Sequence, residues 1–489
     1  YQTMKNILSK TVLALGITAM VMAGCTENGT SEKQYVYLSD AACTFQSAGN
    51  EPFTITVETS PAEWTVTPGA SWVTAEKSGN DLVLTVADNA DGMERTTTIS
   101  VTAGQAEQTI TVIQLSDDDL PMRFRKLADL HSSVISPNGK WVGGYYSVGD
   151  ESAGALFYIV FINLETDERI ELGPYPESLV FLTSVVCMTD TGILYGIEAN
   201  GGIKVFDVNE KDYYVLEVPG MNTAAIGISN ISADGSFWVG WDQVDGYYRP
   251  FVVENGTATM LPLPEENFRG PYEDGEINLM ARGFSEDHSI IYGTTWDNKD
   301  FGMIYWDADR NVHFVGEDVR KVTTIQRPDG YGGTYDYNIV DGMISWAGQY
   351  QISPNGRWIA GTFRTETAVD DGNSIEQAFS PAFYDVENNK TYIMSEYGDG
   401  SGMVVTDDGI GFIGTPSLYT SSCQVVKIET GESLGTLQQY ILDLYGIYMP
   451  SGYLVYLTPD KEIWWGATFE TEGIVASAPN WYLAPSLAK

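Results

Sequence analysis

One short phrase recurs seven times in the last three-quarters of the chain and constrains its fold more than any other feature. Most copies contain an Asn-Gly or Asp-Gly pair, or a degraded form of it, which tolerates the positive φ of a tight hairpin turn. Successive copies start 43 to 68 residues apart, a spacing typical of a β-propeller with one blade per copy. The copies are SPNGKWVGG from 136, TDTGILYG from 189, SADGSFWVG from 232, SEDHSIIYG from 285, SPNGRWIAG from 353, TDDGIGFIG from 406 and TPDKEIWWG from 458.

The last copy is incomplete, and this predicts how the ring closes. After each of the first six copies comes a second hairpin, so one blade has four strands. The seventh copy is followed by a single strand, NWYLAP at 480–485, whereas an unassigned strand-like segment at 122–130 precedes the first copy. An open ring would expose a sheet edge. We therefore predict an all-β protein in which residues 122–489 form a seven-bladed β-propeller, closed by residues 122–130 pairing with the C-terminal blade.

The N-terminus has the pattern of a targeting segment. Two lysines precede an apolar run at 11–22, which is too short to span a bilayer. The run ends in Ala-Gly-Cys at 23–25, which resembles the lipobox of bacterial lipoproteins. The resemblance implies a signal peptide over 1–25, a lipidated Cys25, a polar tether over 26–34, and a location in the cell envelope on the outer membrane, periplasmic or surface-exposed. The alternative is an ordinary signal peptide with a chance cysteine.

The charge of the chain limits its partners. With 26 basic and 66 acidic side chains the net charge is −40, and no basic residues cluster. Nucleic acid and anionic membrane surfaces both attract proteins through Lys/Arg patches, so neither is an expected partner. Membrane contact is expected only through the lipid anchor. Besides Cys25 there are three cysteines, without CxxC or metal-ligand spacing, so neither a metal nor another cofactor is predicted.

Residues 35–115 differ in character from the repeats. They are rich in Thr and Val, alternate apolar with polar positions, and contain short strand-like runs separated by turns. This pattern predicts an immunoglobulin-like β-sandwich of about 80 residues. An acidic stretch over 116–121 then serves as the linker to the ring.

Particular residues of this segment resemble the BACON family, small domains of Bacteroidetes proteins often found near the N-terminus. They are Trp64, Trp72, Asn89, Arg95 and Gln114, the last in the closing TITVIQ. The resemblance implies a domain that binds carbohydrate or mucin, or one that serves only as a spacer. The two tryptophans are either sugar-stacking platforms or core residues, and core packing is favoured.

The sequence contains no recognisable catalytic constellation. HExxH, GxSxG and GxxxxGK[ST] are all missing, and only three histidines are present. Carboxylates are too numerous for an acid/base pair to be chosen. Arginines, which would recognise an acidic sugar, are dispersed through the middle blades at Arg249, Arg269, Arg282, Arg320, Arg327, Arg357 and Arg364. We therefore predict no catalytic residue and no enzyme.

The best candidate site is an aromatic surface in the oversized fourth interval. This interval spans 68 residues, about fifteen more than usual, and long loops on rigid scaffolds commonly carry function. Flat aromatic rings beside carboxylates suit a neutral glycan, although some of these rings are alternatively blade-packing residues. The candidates in the interval are Tyr331, Tyr335, Asp336, Tyr337, Trp346 and Tyr350, and neighbouring loops add Trp241, Tyr247, Tyr272 and Trp296.

These features favour a non-catalytic envelope lipoprotein that binds glycans, of polysaccharide or mucin type, through aromatic propeller loops. One alternative is a protein–protein interaction platform of the envelope. The other is a glycan-active hydrolase or lyase that uses carboxylates on the propeller face.

Overall fold

The computed structural model describes most of the chain between residues 34 and 484. The described ranges are 34–39, 42–45, 47, 49–50, 52–89, 95–114, 124–126, 130, 132–148, 156–166, 168–176, 183–198, 202–270, 277–295, 302–345, 350–414, 423–445, 452–468 and 481–484. Their regular secondary structure is almost entirely β-strand, which confirms the predicted all-β class. The chain divides into two compact units, Tyr1–Met122 and Arg123–Lys489.

The first unit contains two four-stranded sheets. One has the order β1-β3-β6-β5 and the other β2-β8-β7-β4, with the pair β2 and β8 parallel. Alternate residues of both sheets enter one hydrophobic cluster, which includes Ile55 and Leu84 from one sheet and Ile99 and Val112 from the other. The strands are β1 (Tyr35–Leu38), β2 (Ala42–Phe45), β3 (Phe53–Ser60), β4 (Thr65–Pro68), β5 (Val73–Ser78), β6 (Asp81–Val86), β7 (Arg95–Ala103) and β8 (Ala106–Gln114).

The described part of the second unit contains seven sheets, here numbered I to VII. Each has four strands except sheet V, which has five. Sheet I comprises β10 (Ser132–Ile135), β11 (Trp141–Val148), β12 (Leu156–Asn163) and β13 (Arg169–Pro176). Sheet II comprises β14 (Thr183–Met188), β15 (Ile193–Glu198), β16 (Ile203–Asp207) and β17 (Asp212–Val215). Sheet III comprises β18 (Ile226–Ile231), β19 (Phe237–Val244), β20 (Tyr247–Glu254) and β21 (Thr257–Met260).

The remaining four sheets follow in chain order. Sheets IV and V comprise β22 (Leu279–Phe284), β23 (Ile291–Thr295), β24 (Met303–Trp306) and β25 (Val312–Phe314); and β26 (Lys321–Pro328), β27 (Thr334–Ile344), β28 (Trp358–Val369), β29 (Ser374–Asp385) and β30 (Lys390–Ile393). Sheets VI and VII comprise β31 (Ser401–Val405), β32 (Ile410–Gly414), β33 (Cys423–Lys427) and β34 (Glu432–Thr436); and β35 (Gly452–Leu457), β36 (Trp464–Thr468), β37 (Trp481–Leu483) and β9 (Phe124–Lys126). A helix, α1 (Leu437–Tyr445), lies between sheets VI and VII, and short 3-10 turns occupy Asp370–Gly372 and Ser395–Tyr397.

Sheet VII combines strands from the two ends of the second unit. β9 pairs antiparallel with β37, with Phe124 opposite Leu483 and Lys126 opposite Trp481. This confirms the pairing predicted between residues 122–130 and the strand near 480–485. Without β9, strand β37 would be an unpaired sheet edge.

The recurring phrase forms the same hydrogen-bonded turn in successive sheets. In sheet V the Ser353 hydroxyl donates to Asn355 Oδ1 (2.8 Å) and accepts the Trp358 N–H (3.0 Å). The chain reverses through a left-handed residue, Gly356 at φ 76°, for which His288 substitutes in sheet IV at φ 62°. The equivalent hydroxyl and acceptor pairs are Ser136 and Asn138, Ser232 and Asp234, Ser285 and Asp287, Thr406 and Asp408, and Thr458 and Asp460.

Neighbouring sheets are joined in cyclic order. In the second unit, six of seven hydrophobic clusters of described residues combine two neighbouring sheets, and one of these six joins sheet VII to sheet I. The seventh cluster combines sheets III, IV and V. Hydrogen bonds to the repeated turns also link neighbouring sheets. The Asn138 N–H donates to Asp190 (2.9 Å), and the Tyr456 hydroxyl of sheet VII donates to the Pro137 carbonyl of sheet I (2.8 Å).

The cysteines of the described residues pack as apolar side chains. Cys43, Cys187 and Cys423 are buried and form no disulfide. Burial raises the pKa of the Cys423 thiol to about 12. Burial also raises the pKa of the Cys187 thiol, so Cys187 and Cys423 stay protonated at neutral pH and are poor nucleophiles.

Candidate functional site

The additional residues of the fourth interval form a hairpin at the start of sheet V. β26 and β27 pair over eight positions, from Lys321 opposite Asp341 to Pro328 opposite Thr334. β27 joins β28 only through its last three residues, 342–344, so the rest of the hairpin extends beyond that pairing. Residues 321–344 of the oversized interval are thus an ordered β-hairpin and not an irregular loop.

Two tyrosines are exposed at the turn of this hairpin. Tyr331 is 98% exposed and Tyr335 is 45% exposed. The turn between them is braced by Asp329, whose carboxylate accepts the N–H groups of Tyr331 (2.8 Å) and Gly333 (2.9 Å). The exposed rings therefore sit on an internally hydrogen-bonded turn.

Asp336 and Tyr337 differ from those two tyrosines in their surroundings. Asp336 is exposed and accepts a hydrogen bond from the Gln326 amide. Tyr337 is half-buried, with the guanidinium groups of Arg269 and Arg327 over its ring at 5.1 and 4.7 Å. Cation–π contacts thus already engage the Tyr337 ring, which fits a packing role better than an open platform.

A buried ion cluster fastens the hairpin to β28. Glu366, only 5% exposed, accepts two hydrogen bonds from Arg269 (2.7 and 2.9 Å) and one from the Val340 N–H (2.9 Å), with Arg364 at 3.7 Å. Burial alone would raise the pKa of Glu366, but these donors outweigh burial and hold the pKa below its ordinary value. Arginines that look dispersed in the sequence are therefore gathered here by the fold.

A separate cavity of about 310 Å³ lies among the first strands of the sheets. Six sheets each contribute one residue to its lining from the same position of the repeat. This position lies three residues before the Ser or Thr that begins the phrase. These residues are Val186, Ser229, Arg282, Tyr350, Met403 and Val455. We call this space the inner cavity.

A β-bulge explains why five of these six side chains, all except Tyr350, line the inner cavity. In sheets II, III, IV, VI and VII the pairing register between the first two strands shifts at this position, for example between Ala281 and Gly283 around Arg282. A bulge leaves one residue unpaired and re-aims its side chain. Counting back three residues from each phrase would have found these positions in the sequence, a signal that our sequence analysis missed.

Two of the predicted aromatic residues, Trp241 and Tyr350, line the inner cavity. The Trp241 ring lies against the backbone of Gly227, where an added Cβ would collide with the indole, and contacts Tyr248 edge-on at 4.8 Å. Tyr350 packs on Tyr456 with ring centroids 4.5 Å apart.

The remaining predicted site residues lie elsewhere. Tyr247 is half-buried at the start of β20, with the Arg249 guanidinium 5.2 Å from its ring. Trp346, Tyr272, Trp296 and the predicted lipidation site Cys25 lie outside the described residues. The described candidates thus divide between the exposed hairpin, the inner cavity and, for Tyr247, the start of β20, and do not form one surface.

In the first unit, the residues that carry the family resemblance form a structural network. Arg95 donates to Gln114 Oε1 (2.8 and 3.0 Å), and the Gln114 amide donates to the carbonyls of Ser47 and Ala87. Trp64 is buried in the core, and the Arg95 guanidinium lies over Trp72 at 4.6 Å. Core packing rather than sugar stacking accounts for Trp64.

The fold therefore defines an all-β protein in which a small N-terminal β-unit is followed in the sequence by propeller-like sheets. Residues 62–115 match the family described as "BACON: Putative binding domain, N-terminal", so this unit contains a BACON domain, as the sequence resemblance predicted. None of the helices in the described part of the chain is long and apolar enough to cross a membrane. No curated protein matches the chain.

Several solved structures are similar to this chain. An oligogalacturonate lyase in complex with manganese has 12% identity and a TM-score of 0.39, with 81% of this chain and 99% of that chain covered. The β-propeller domain of the Trilobed protease from Pyrococcus furiosus has 10% identity and a TM-score of 0.35, covering 82% and 97%. A DUF4784 family protein from Bacteroides caccae has 11% identity and a TM-score of 0.26, covering 83% and 95%. Identities this low say nothing about ligand or activity.

Proposed function

We propose that this protein is a non-catalytic lipoprotein of the cell envelope that binds glycans through the exposed tyrosines of the β26–β27 hairpin. The observation that carries the proposal is the exposure of Tyr331 and Tyr335 on a hairpin anchored by a buried ion cluster. Tyrosine provides a large, rigid contact surface at low cost in conformational entropy. A surface of this kind is ready to receive a ligand without reorganising.

The proposed architecture places the hairpin on a closed ring. Residues 35–115 form an immunoglobulin-like sandwich, 116–121 a linker and 122–489 a seven-bladed propeller. The shared core of the two N-terminal sheets and the cyclic order of sheets I to VII support this reading. Residues 1–25 act as the lipoprotein signal peptide and 26–34 as the tether, so that lipidated Cys25 holds the protein on the outer membrane.

The chemistry of the hairpin favours neutral glycans of polysaccharide or mucin type. Aromatic faces accept the C–H face of a sugar ring, and the exposed carboxylate of Asp336 is available to accept bonds from hydroxyl groups. The net charge of −40 repels polyanionic chains at long range. The resemblance to the BACON family also favours carbohydrate.

Binding to neutral polysaccharides and mucin O-glycans tests the proposal. We expect retardation in affinity gels containing the ligand, and we expect the double substitution Tyr331→Ala and Tyr335→Ala to abolish it, because both stacking rings are lost. Tyr214→Ala is the matched control, since Tyr214 is 52% exposed but lies on β17 in sheet II.

Three outcomes would overturn the proposal. Equal retardation of the wild type and the double variant would remove the hairpin from the site. No retardation across a broad glycan panel would favour the protein-interaction platform. Release of reducing or unsaturated ends from any polysaccharide would favour the hydrolase or lyase.

A further inference from the structure

Arg282 is an isolated cation in the wall of the inner cavity. Its Nε donates to Thr294 Oγ1 at 3.3 Å, and within the described ranges no carboxylate lies within ion-pair distance of its guanidinium. The chain contains 66 acidic side chains, so a shortage of acidic residues does not explain why Arg282 lacks a carboxylate partner in these ranges. Burial lowers the pKa of this guanidinium, so the fold works against the charge it places there.

The repeat shows that structure does not require a charge at this position. At the equivalent bulge, sheets II and VII have Val186 and Val455 and sheet VI has Met403. An apolar side chain at this position is therefore compatible with the packing of the first strand of a sheet. Arg282 is half-buried, and removing a charge from water without a partner is costly in general, so an arginine in this place favours a compensating partner.

A second polar group in the same wall lacks a partner. Ser229, at the equivalent bulge of sheet III, is 3% exposed, and its Oγ makes no hydrogen bond. Buried hydroxyl groups are normally satisfied. The unsatisfied Ser229 hydroxyl and the Arg282 guanidinium, which has no carboxylate partner among the described residues, thus meet one space. The remaining lining is mainly aliphatic and aromatic, including Ile197, Ile228 and Trp241.

We propose that the inner cavity binds a small monocarboxylate with an apolar body. The carboxylate would accept hydrogen bonds from the free edge of the Arg282 guanidinium, and Ser229 would donate one more. The apolar body would contact the aliphatic walls and the Trp241 ring. This site goes beyond the glycan surface proposed above and uses none of the hairpin residues.

Size and charge together select this class of ligand. A volume of about 310 Å³ is at the lower end of the range for small-molecule pockets. One arginine neutralises one negative charge, whereas a phosphate dianion would leave a net charge among apolar walls. A neutral molecule of the same shape would leave the guanidinium unpaired.

Another cavity among the described residues provides a contrast. It lies among the turns of sheets V to VII, with a volume of about 240 Å³. Its cation, Lys461, is already paired with Asp408 at 2.8 Å. That charge is compensated, so no ligand is implied there.

Calorimetric titration of the full chain with four probes tests the proposal: benzoate, its neutral isostere benzamide, cyclohexanecarboxylate and inorganic phosphate. We expect one saturable site for the two carboxylates and affinity for benzamide and phosphate that is weaker by at least roughly tenfold. Arg282→Gln should weaken benzoate binding by roughly tenfold to a hundredfold, the usual effect of losing hydrogen bonds to a charged group. Arg282→Lys should retain part of it.

Arg310→Gln is the matched control, because it removes the same charge from an arginine that pairs with Glu254 away from the cavity. Thermal denaturation checks folding, and Arg282→Gln should melt no lower than the wild type when no ligand is present. The proposal is wrong if benzoate and benzamide bind equally, if neither carboxylate binds, or if Arg282→Gln binds like the wild type. Tighter binding of phosphate than of benzoate would also contradict it. None of these results depends on whether the hairpin binds glycans.

Discussion

At the scale of single residues, the pairing of buried and half-buried charges separates structural side chains from candidate functional ones. Arg357 donates to Asp385 (2.8 Å) and Glu429 (2.9 Å), and Arg269 is doubly bonded to Glu366. Arg282 has no such carboxylate among the described residues. Because removing a charge from water is costly unless it is compensated, the carboxylate partners explain how the fold tolerates Arg269 and Arg357. No described carboxylate does the same for Arg282.

Glu366→Gln should strongly destabilise the second unit at neutral pH. The substitution leaves the guanidinium of Arg269 without its carboxylate, and losing one partner of a buried pair typically costs about 3–5 kcal/mol. Because the folded-state pKa of Glu366 is lowered, its contribution is present above the unfolded-state pKa and is lost as the pH falls through the folded value. Urea denaturation of both proteins from pH 7 down to pH 3 should therefore show a gap that narrows in acid. A gap that stays constant across this range would contradict the assignment.

At the scale of elements, one local hydrogen-bonded turn is reused with different degrees of burial. Ser353 and Ser232 make the same two hydrogen bonds. In each turn the serine hydroxyl donates to the side-chain oxygen of the residue two positions later and accepts the backbone N–H of the residue five positions later. Ser353 is fully buried, whereas Ser232 is half-exposed. Identical turn chemistry should therefore contribute unequally to stability in different sheets.

Ser353→Ala should cost more stability than Ser232→Ala. In the buried turn the N–H of Trp358 loses its acceptor and cannot reach water, which costs about 1–3 kcal/mol. In the half-exposed turn water replaces the lost hydroxyl, so a loss of about 0.5–1.5 kcal/mol is expected. The two variants compare like with like, and urea midpoints measure the difference. Equal losses would show that burial does not determine how much the turn contributes to the free energy of unfolding.

At the scale of the whole molecule, the second unit depends on a strand contributed from its start. β9 supplies the outer strand of sheet VII, and one hydrophobic cluster joins sheet VII to sheet I through residues such as Trp465 and Val142. Completion of sheet VII therefore depends on a long-range contact between the two ends of the unit. Its loss would expose an edge that favours aggregation.

A disulfide across β9 and β37 should trap this closure. Arg125 and Tyr482 are register partners, and paired strand residues have the Cα separation that a disulfide needs. With Cys25→Ser as background, the double variant Arg125→Cys and Tyr482→Cys should cross-link on mild oxidation and migrate faster in non-reducing gels. Arg125→Cys combined with Tyr214→Cys, in sheet II, is the control and should stay uncrosslinked. Efficient cross-linking of the control alone would refute this pairing.

Much of the fold could be predicted because its signals are local. The turn of each phrase is held by bonds between residues two to five positions apart, such as Ser353 with Asn355 and Trp358, so its residue types recur visibly. The missing final strand was equally visible as a break in the repeat. The BACON resemblance was also visible in residue types. Arg95 donates to Gln114, and Gln114 donates to the Ala87 carbonyl, so this hydrogen-bonded network depends on both side chains.

The candidate sites could be predicted only in part. The excess length of the fourth interval located the hairpin, but its aromatic residues looked alike in the sequence. Exposure of Tyr331, stacking of Arg269 and Arg327 on Tyr337, and placement of Tyr350 in the inner cavity depend on which distant elements pack beside them. Arg282 appeared only as one arginine in a dispersed set.

The sequence by itself thus determined the repeated turns, the all-β class and the strand that closes sheet VII, because each rests on local residue chemistry or on counting repeats. The tertiary structure alone decided which rings are exposed and which charges are paired. Arg269 meets Glu366 across 97 positions of the chain, while Arg282 meets no described carboxylate at all. Compensation of a charge depends on neighbours in space, and only the packed sheets bring those neighbours together or keep them apart.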